Sequence, residues 1–250
     1  MKILITGHKG FIGSAIWNRL KDSHQLFGID KKDGNDILDY VFKDDYDLII
    51  HLAGLSGVRE SIKDPSAYWF NNVEAGRKLF ERYKDTRILY ASSSTVYQPH
   101  LNPYAASKYM LEELAACHGE NLGLRFHTVW SEKPRKGMFV DKLLNGNLEY
   151  VTNHYRDFVH IEDVCDAIEI LLDKDYLKGY IDIGSGMPVK ISEFAPELPI
   201  RLNTPTERQF TCANIEKLSN LGFEPKYFIK KILTNRKNDT NIIDINGEFV

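Results

Sequence analysis

Short apolar runs alternate with helix-periodic segments along most of this 250-residue chain. Each run is four or five residues long, and between the runs apolar residues return at helical spacing. The runs predict six strands, at residues 2–5, 25–29, 48–52, 87–91, 122–126 and 180–183. Strands that are apolar on both faces must be covered on both sides. The pattern therefore predicts an α/β fold with a doubly wound parallel sheet.

The regular alternation loosens after residue 128, which suggests a division of the chain. Residues 1–128 are expected to form the core, and residues 157–185 to return to it. Residues 129–156 and 186–234 are expected to form a small C-terminal part that binds substrate, and 235–250 a tail. Helices are predicted at 67–83, 104–118, 138–144 and 161–172.

Composition excludes several classes of function. With a net charge of −3, the chain has no general attraction for nucleic acid or an anionic membrane. It has no apolar run of membrane-spanning length, and its first residues read as a strand rather than a signal peptide. The three scattered cysteines suit a reducing compartment, most simply the cytoplasm. No cysteines or histidines have zinc-site spacing, so no metal is expected.

A glycine turn joins the first strand to the first helix. Gly7 permits the tight turn, Gly10 lets the backbone approach a pyrophosphate, and Gly13 lets the helix pack on the strand. The positive end of the helix dipole then faces the phosphates. The alternative is a turn that merely connects the two elements, because short glycine motifs also occur by chance. The pattern is typical of the Rossmann fold and its dinucleotide site.

Acidic residues after the second strand favour one dinucleotide. Asp30 ends that strand, where a carboxylate should meet the adenosine ribose hydroxyls and repel a 2′-phosphate, which favours NAD. Lys31 and Lys32 follow directly and keep NADP as an alternative. Asp36 and Ile37 are expected near the adenine, although an aspartate in an ordinary turn would look the same.

A tyrosine and a lysine four residues apart share a face of the predicted 104–118 helix. Tyr104 could act as a base if the Lys108 ammonium lowers the pKa of its phenol from about 10. Lys108 could also bind the nicotinamide ribose. Alone, such a pair is most often a surface contact. Beside a nicotinamide cofactor, it indicates oxidation of an alcohol carbon.

Hydroxyl side chains follow the strand at 87–91, at residues 92–95. They lie at the carboxyl end of the sheet, where open α/β sheets bind ligands. A hydroxyl there could hydrogen-bond the reacting sugar hydroxyl and share its proton with Tyr104. Serines and threonines also cap helices and form turns, which is the structural alternative.

Seven motifs in order resemble the extended short-chain dehydrogenase/reductase superfamily of nucleotide-sugar epimerases and dehydratases. They span most of the chain, at residues 6–13, 50–54, 71–73, 92–97, 104–108, 156–164 and 183–186, with a further match at 221–225. The resemblance implies Ser93, Tyr104 and Lys108 as catalytic residues. It implies a cofactor site formed by Gly7, Gly10, Phe11, Ile12, Gly13, Asp30, Asp36, Ile37, Leu52, Ala53, Gly54, Asn72, Tyr104 and Lys108. His160 is expected to anchor the start of a helix.

Within the superfamily, residues 57–68, 89–94 and 124–138 look most like UDP-glucuronate 4-epimerases. The likeness implies substrate contacts from Ser92, Ser94, Thr128, Arg135 and Arg156, with Thr128 near the sugar carboxylate and Arg156 on the diphosphate. The expected reaction is C4 epimerisation of a UDP-hexuronate through a 4-keto sugar. A homodimer is expected from relatives, which pair through the helix that carries the tyrosine and the helix before it.

The chain departs from relatives at one place near the site. Only six residues separate Tyr97 from Tyr104, where relatives usually carry a longer substrate-covering segment. The Asp-Glu pair of the 4,6-dehydratases is absent, since Ser94 and Thr95 stand there. Two alternatives stay open: a nucleotide-sugar reductase or dehydratase, and a catalytically idle NAD-binding sensor or assembly subunit. Arg156 has its own structural alternative, an ion pair with Glu162 or Asp163.

Overall fold

A parallel six-stranded sheet forms the centre of the computed structural model, which describes residues 1–202 and 204–230. Its strands are β1 (Lys2–Thr6), β2 (Gln25–Ile29), β3 (Leu48–His51), β4 (Ile88–Ser93), β5 (Leu122–Phe126) and β9 (Gly179–Ile183). They lie in the order β2-β1-β3-β4-β5-β9, and every neighbouring pair is parallel. The predicted doubly wound α/β fold and all six predicted strands are confirmed, with ends that differ by at most two residues.

Helices cover both faces of this sheet. The helices of the described residues are α1 (Phe11–Leu20), α2 (Val58–Lys63), α3 (Pro65–Tyr68), α4 (Ala75–Arg82), α5 (Pro103–Ala116), α6 (Phe139–Leu144), α7 (Ile161–Leu171) and α8 (Glu216–Ser219). α1 and α7 lie on one face of the sheet, α4 and α5 on the other, and α6 packs with the small sheets. α5 begins where its sequence favours a helix start. The Asn102 side chain accepts a hydrogen bond from the Ala105 amide, and Pro103 occupies the first turn. His160 caps α7 by accepting from the Glu162 amide at 3.3 Å, which confirms its predicted structural role.

The helix predicted at 67–83 is not regular. A π-helical turn, Trp69–Glu74, separates α3 from α4. Such turns accommodate one extra residue in a helix and occur often at functional sites. Here the turn carries Asn72, whose side chain is fully buried against the loop after β3. The apolar spacing alone does not distinguish this turn from a continuous α-helix.

The rest of the chain forms smaller sheets. β6 (Thr128–Trp130), β8 (Tyr155–His160) and β10 (Pro188–Lys190) form a three-stranded sheet in the order β10-β8-β6. β7 (Val151–Thr152) pairs with β11 (Ile200–Arg201). After residue 156 the chain therefore first stays in the three-stranded sheet with β8, and α7 and β9 bring it back to the large sheet. The predicted tail at 235–250 lies outside the described residues.

Apolar residues fill both faces of the large sheet and a third cluster. One face is covered by residues such as Ile16 of α1 and Ile168 of α7, and the other by Phe80 of α4. A separate cluster around Phe158 and Phe194 supports the small sheets. Over the described residues, no helix is long and apolar enough to cross a membrane.

Candidate active site

The turn between β1 and α1 requires glycine at two of its three glycine positions. Gly7 has a φ of +73°, and a Cβ there would lie 2.7 Å from the Ala53 amide nitrogen. A Cβ on Gly13 would overlap the Gly7 carbonyl oxygen. These contacts bring the start of α1 against the ends of β1 and β3. The turn has the shape expected of a dinucleotide site.

The N-terminus of α1 offers its backbone amides to an anion. Gly10 is the N-cap residue, and no side chain caps the helix. The first turn of α1 also carries no acidic residue, so nothing there competes with a phosphate for the helix dipole. The predicted Phe11, Ile12 and Gly13 lie in this turn, and the cradle fits a pyrophosphate.

Asp30 stands at the end of β2, beside this turn. Its two oxygens each accept one backbone amide, from Lys9 and from Lys32, both at 2.9 Å. Each carboxylate oxygen can accept further hydrogen bonds, so both remain able to receive ribose hydroxyls. The Lys31 ammonium is directed elsewhere, to Asp36 at 2.8 Å and to Asn71 at 2.7 Å.

Of the two residues predicted near the adenine, Asp36 is partly exposed and Ile37 is buried in the core. Asp36 is half-buried and holds the Leu38 amide as well as Lys31. The Ile37 side chain is only 4 % exposed and belongs to the core cluster of Leu4 and Ile29. The structure therefore leaves only the backbone of Ile37 available to a ligand.

The loop after β3 carries the predicted Leu52, Ala53 and Gly54. Gly54 lies beside α5, since a Cβ there would be 3.4 Å from Lys108 Nζ. Asn72 holds this loop: its side-chain amide accepts from the Leu55 amide at 2.7 Å and donates to the Leu55 carbonyl and to Ser107 Oγ. With its side chain fully buried and so engaged, Asn72 positions the loop rather than offering a free group to the cofactor.

The three predicted catalytic residues come together at the carboxyl end of the sheet. Ser93 ends β4, and its hydroxyl lies close enough to the Tyr104 phenol on α5 to lower the pKa of that phenol. Thr95 supports Ser93, donating to its Oγ from the hydroxyl at 3.0 Å and from the amide at 3.3 Å. Lys108 lies one turn after Tyr104 and donates to the Ala91 carbonyl at 2.8 Å. Thr95 is a supporting residue that the sequence analysis did not assign.

The pKa of Tyr104 differs from the sequence expectation. Burial raises the pKa of the phenol, while the Ser93 hydroxyl and the Arg135 charge act against that rise. Burial also lowers the pKa of Lys108 to about 8, because an ammonium loses its hydration there. In the protein without bound cofactor, the expectation that Lys108 lowers the pKa of Tyr104 is wrong. The Ser93 hydroxyl and the Arg135 charge stabilise the ionised phenol instead.

Ser92 does not lie with the other predicted substrate residues. Successive side chains of a strand point to opposite faces, and Ser92 points away from Ser93. Its hydroxyl donates to Glu112 Oε1 at 2.5 Å, and the residue is 2 % exposed. Glu112 also binds Arg125 through both of its oxygens, at 2.9 and 2.7 Å. Ser92 thus belongs to a buried network behind the site.

Of the remaining predicted substrate residues, Ser94 and Arg135 lie near Tyr104 and Ser93, since Ser94 follows Ser93 and the Arg135 charge acts on the phenol. Thr128 begins β6, and Ser94 follows Ser93 with its side chain nearly buried. Arg135 is exposed and donates to Ser56 Oγ at 2.5 Å. Arg156 donates to His154 Nδ1 at 2.9 Å and to Glu207 at 3.4 Å. The structural alternative for Arg156 is wrong, because Glu162 pairs with Arg19 and Asp163 accepts the amides of residues 226 and 227.

One cation at the site was not found from the sequence. Arg208 donates from Nη1 to the Ser94 carbonyl at 2.6 Å, across 114 residues of chain. Its guanidinium carbon lies 5.1 Å from the centre of the Tyr97 ring. No spacing or motif signals this contact, because it depends on how residues 204–210 fold back over the site.

Comparison with known proteins identifies the family. The model of the NAD dependent epimerase/dehydratase family matches residues 3–184, which include the glycine turn, Ser93, Tyr104 and Lys108. The chain belongs to this family. As a member of the NAD dependent epimerase/dehydratase family, it uses NAD and falls among the nucleotide-sugar enzymes.

Matches to curated relatives cover almost the whole chain. An uncharacterized protein of Methanocaldococcus jannaschii is 30% identical, and the match covers 92% of this chain and 93% of that protein. Protein CapI of Staphylococcus aureus is 27% identical, with 92% of this chain and 95% of CapI covered. This member of the family therefore matches relatives over nearly their full length.

Solved structures of the family share the fold. MoeE5, in complex with UDP-glucuronic acid and NAD, has a TM-score of 0.81 and 26% identity, covering 94% of this chain and 97% of MoeE5. UDP-glucuronic acid 4-epimerase from Bacillus cereus, with UDP-glucuronic acid and NAD, has a TM-score of 0.80 and 26% identity over 94% and 97%. Both similarities confirm the Rossmann-type core of this family member.

Proposed function

We propose that this protein is an NAD-dependent epimerase that inverts C4 of a UDP-hexuronate. The observation that carries the proposal is the position of the Ser93 hydroxyl, close enough to the Tyr104 phenol to lower its pKa, one helical turn from Lys108. Lys108 lies beside the loop that carries Gly54, next to the glycine cradle. A base (Tyr104), a proton relay (Ser93) and a cation (Lys108) thus lie together beside the proposed cofactor site.

In its ionised form, Tyr104 takes the proton of the C4 hydroxyl, and the nearby Ser93 hydroxyl relays that proton. Thr95 fixes Ser93 in place through two hydrogen bonds to Oγ. NAD, when bound, would supply hydride transfer at C4 in both directions, to and from the cofactor. Lys108 would hold the nicotinamide ribose in place. Tyr104 then returns the proton to the C4 oxygen.

The residues after Ser93 favour epimerisation over elimination. Ser94 and Thr95 carry hydroxyls, and Thr95 is already engaged with Ser93. Removing water from a keto sugar needs an acid to protonate the leaving hydroxyl. Neither side chain supplies a carboxyl group for that step, so the keto sugar is expected to be reduced again in the same site.

The cofactor roles follow from the same geometry. Gly7, Gly10, Phe11, Ile12 and Gly13 would hold the pyrophosphate, and Asp30 the adenosine ribose. Asp36 and the backbone of Ile37 would border the adenine. Leu52, Ala53 and Gly54 would face the nicotinamide half, with Asn72 holding their loop.

The substrate assignment rests on charge and on neighbouring structures. Ser94, Thr128, Arg135 and Arg156 border the site, and two of these four are cations. MoeE5 and the Bacillus cereus epimerase were each solved with UDP-glucuronic acid. A diphosphate with a sugar carboxylate fits such a cationic rim better than a neutral substrate does.

The experiment is to incubate NAD-loaded protein with UDP-glucuronate and, separately, with UDP-galacturonate. Interconversion of the two without change in nicotinamide absorbance is expected. Net consumption of the cofactor or a stable altered sugar would instead indicate a reductase or dehydratase. Bound NAD with no turnover of any nucleotide sugar would indicate a sensor or assembly subunit.

We propose further that two copies of the chain associate through α4 and α5, and that the enzyme works in the cytoplasm. Large apolar side chains are exposed on and before these helices: Trp69 at 45%, Phe70 at 54% and Tyr109 at 40%. Contiguous exposed apolar residues mark interaction surfaces. Met110→Lys should shift the mass measured by sedimentation equilibrium from dimer to monomer, while Met187→Lys, at an exposed site on the small sheet, should not.

A further inference from the structure

We propose that Arg208 binds the carboxylate of the sugar and makes the enzyme selective for a hexuronate over a neutral hexose. The inference rests on the proposed function and adds a specificity residue to it. Its basis is the segment at residues 204–210.

Residues 204–210 lie over the short connection between Tyr97 and Tyr104. The Asn102 side chain donates to the Thr206 carbonyl at 3.0 Å, and Arg208 donates to the Ser94 carbonyl. The two segments line an open cavity of about 580 Å³, with Tyr97, Leu101, Pro205, Glu207 and Arg208 among its lining residues. Small-molecule sites have volumes of about 300–1,000 Å³. Residues 204–210 therefore form one wall of a cavity beside the end of β4, where relatives carry a longer segment before the tyrosine.

Arg208 enters this cavity without a carboxylate partner. Among the described residues, no carboxylate forms an ion pair with its guanidinium. Glu207 on the same cavity pairs with Arg59 and Arg156 instead. Asp182, whose charge acts on Arg208, accepts from the Tyr97 phenol at 3.0 Å and from the Asn214 amide at 2.9 Å. A guanidinium is always charged and carries five N–H donors, of which only one makes a hydrogen bond within the described part of the chain. A partly buried cation so placed is suited to an anion supplied by the substrate.

The position of Arg208 distinguishes the sugar carboxylate from the diphosphate. The guanidinium binds the carbonyl of Ser94, the residue directly after Ser93, whose hydroxyl faces the reacting C4 hydroxyl. In a hexuronate ring, the carboxylate is on C5, next to C4. The diphosphate is on C1, across the ring from C4. A cation beside Ser93 is therefore placed for the carboxylate side. Arg156, which pairs with Glu207, keeps the diphosphate role that the family resemblance implies.

The test measures binding rather than turnover. Wild type, Arg208→Gln and Arg208→Lys, each loaded with NAD, are titrated calorimetrically with UDP-glucuronate, UDP-glucose and UDP. Arg208→Gln should weaken UDP-glucuronate binding by about 10- to 100-fold, as expected for a lost charge-assisted bond, and change the other two by less than about 3-fold. Arg208→Lys keeps the positive charge but not the planar guanidinium, so its affinity for UDP-glucuronate should fall less than that of Arg208→Gln.

The matched control is Arg201→Gln, which removes a charge from the same part of the chain. Arg201 is exposed, and its guanidinium carbon lies 3.8 Å from the centre of the Tyr150 ring. It should leave all three affinities unchanged. Equal weakening for all three ligands in Arg208→Gln would overturn the proposal in favour of a diphosphate contact, and so would no weakening at all. Retained NAD binding by each variant shows that it is folded.

These outcomes separate the two proposals. If the wild type interconverts UDP-hexuronates but Arg208→Gln keeps its preference for UDP-glucuronate, only the role of Arg208 is wrong. If Arg208 sets the preference in binding but no interconversion occurs, only the epimerase assignment is wrong.

Discussion

Tyr104 is protonated at neutral pH in the protein alone, since burial raises the pKa of its phenol. The hydroxyl of Ser93 and the charge of Arg135 counter that rise, and Lys108 stands one turn away with its ammonium on the Ala91 carbonyl. The end of β4 positions the Ser93 hydroxyl, and one face of α5 positions Tyr104 and Lys108. The proposed reaction therefore depends on single hydroxyl and amino groups, and conservative substitutions can remove them one at a time.

Replacing Tyr104 by Phe removes the base and keeps the ring. We expect kcat for hexuronate interconversion to fall by about 10²- to 10⁴-fold, since a positioned acid–base group contributes that much. NAD binding should be retained, because the ring still fills its place beside Tyr68. The matched control is Tyr176→Phe, an exposed tyrosine away from the site and from the proposed dimer surface, which should retain wild-type kcat. Wild-type turnover by Tyr104→Phe would contradict the assigned role.

The titration of Lys108 should be visible in stability. Its pKa is about 8 in the folded protein, against 10.5 for a lysine in water. Between these values the unfolded chain binds more protons, so stability rises with pH. From pH 8 to pH 10, the wild type should gain about 2 kcal/mol in unfolding free energy relative to Lys108→Met. Urea denaturation of both proteins at both pH values tests this, and parallel pH dependences would refute it.

The alternation of side chains along a strand already predicts that Ser92 and Ser93 face opposite sides of the sheet. Adjacent residues of a strand face opposite sides, so both hydroxyls could not reach one substrate. The motif match identified Ser93, and the structure shows Ser92 bound to Glu112. Arg208 lay beyond sequence reasoning, since its contact with Ser94 joins residues 114 apart.

At the scale of elements, apolar runs predicted the strands well because each is buried on both faces. The sequence predicted less of the irregular elements. The π-helical turn Trp69–Glu74 keeps the apolar spacing of a helix, but it turns Asn72 toward Leu55 and Ser107. The short strands β7 and β11 depend on pairing with each other rather than on their own two residues. Contacts between distant residues thus determine these irregular elements, which the local sequence pattern does not predict.

A buried ion pair joins three elements behind the site. Glu112 on α5 binds Arg125 on β5 and Ser92 on β4, and both ionic side chains are 8% exposed. Glu112→Gln leaves the Arg125 charge without its partner, so unfolding free energy should fall by about 3–5 kcal/mol. The comparison is Glu120→Gln, which breaks the exposed pair with Lys178 and should cost at most about 1 kcal/mol. Urea denaturation measures both, and equal losses would contradict the prediction.

Over the whole molecule, the proposed cofactor contacts extend across β1, β2, the loop after β3, and α5. A ligand that binds only the folded state stabilises it according to its concentration. NAD at 100 times its Kd should therefore raise the unfolding free energy by about 2.7 kcal/mol. NADP at the same concentration should do less, because Asp30 would repel the 2′-phosphate.

Gly13→Ala provides the matched control for this prediction. Its added Cβ overlaps the Gly7 carbonyl and disturbs the cradle for the pyrophosphate. The variant should lose most of the stabilisation by NAD, whereas Ser14→Ala, at an exposed position of the same helix, should keep it. Thermal unfolding with and without NAD is the measurement. Equal stabilisation of Gly13→Ala and the wild type would place the cofactor elsewhere.

The placement of residues 204–210 beside the site has a consequence for the order in which the enzyme is made. On the ribosome, Ser93, Tyr104 and Lys108 are synthesised early, yet Asn102 meets Thr206 only 104 residues later and Ser94 meets Arg208 after 114. A nascent chain that ends before residue 204 holds the reactive side chains without this wall of the cavity. On the proposed role of Arg208, such a chain would lack the cation for the sugar carboxylate, so it would bind a hexuronate less tightly than the longer chain does.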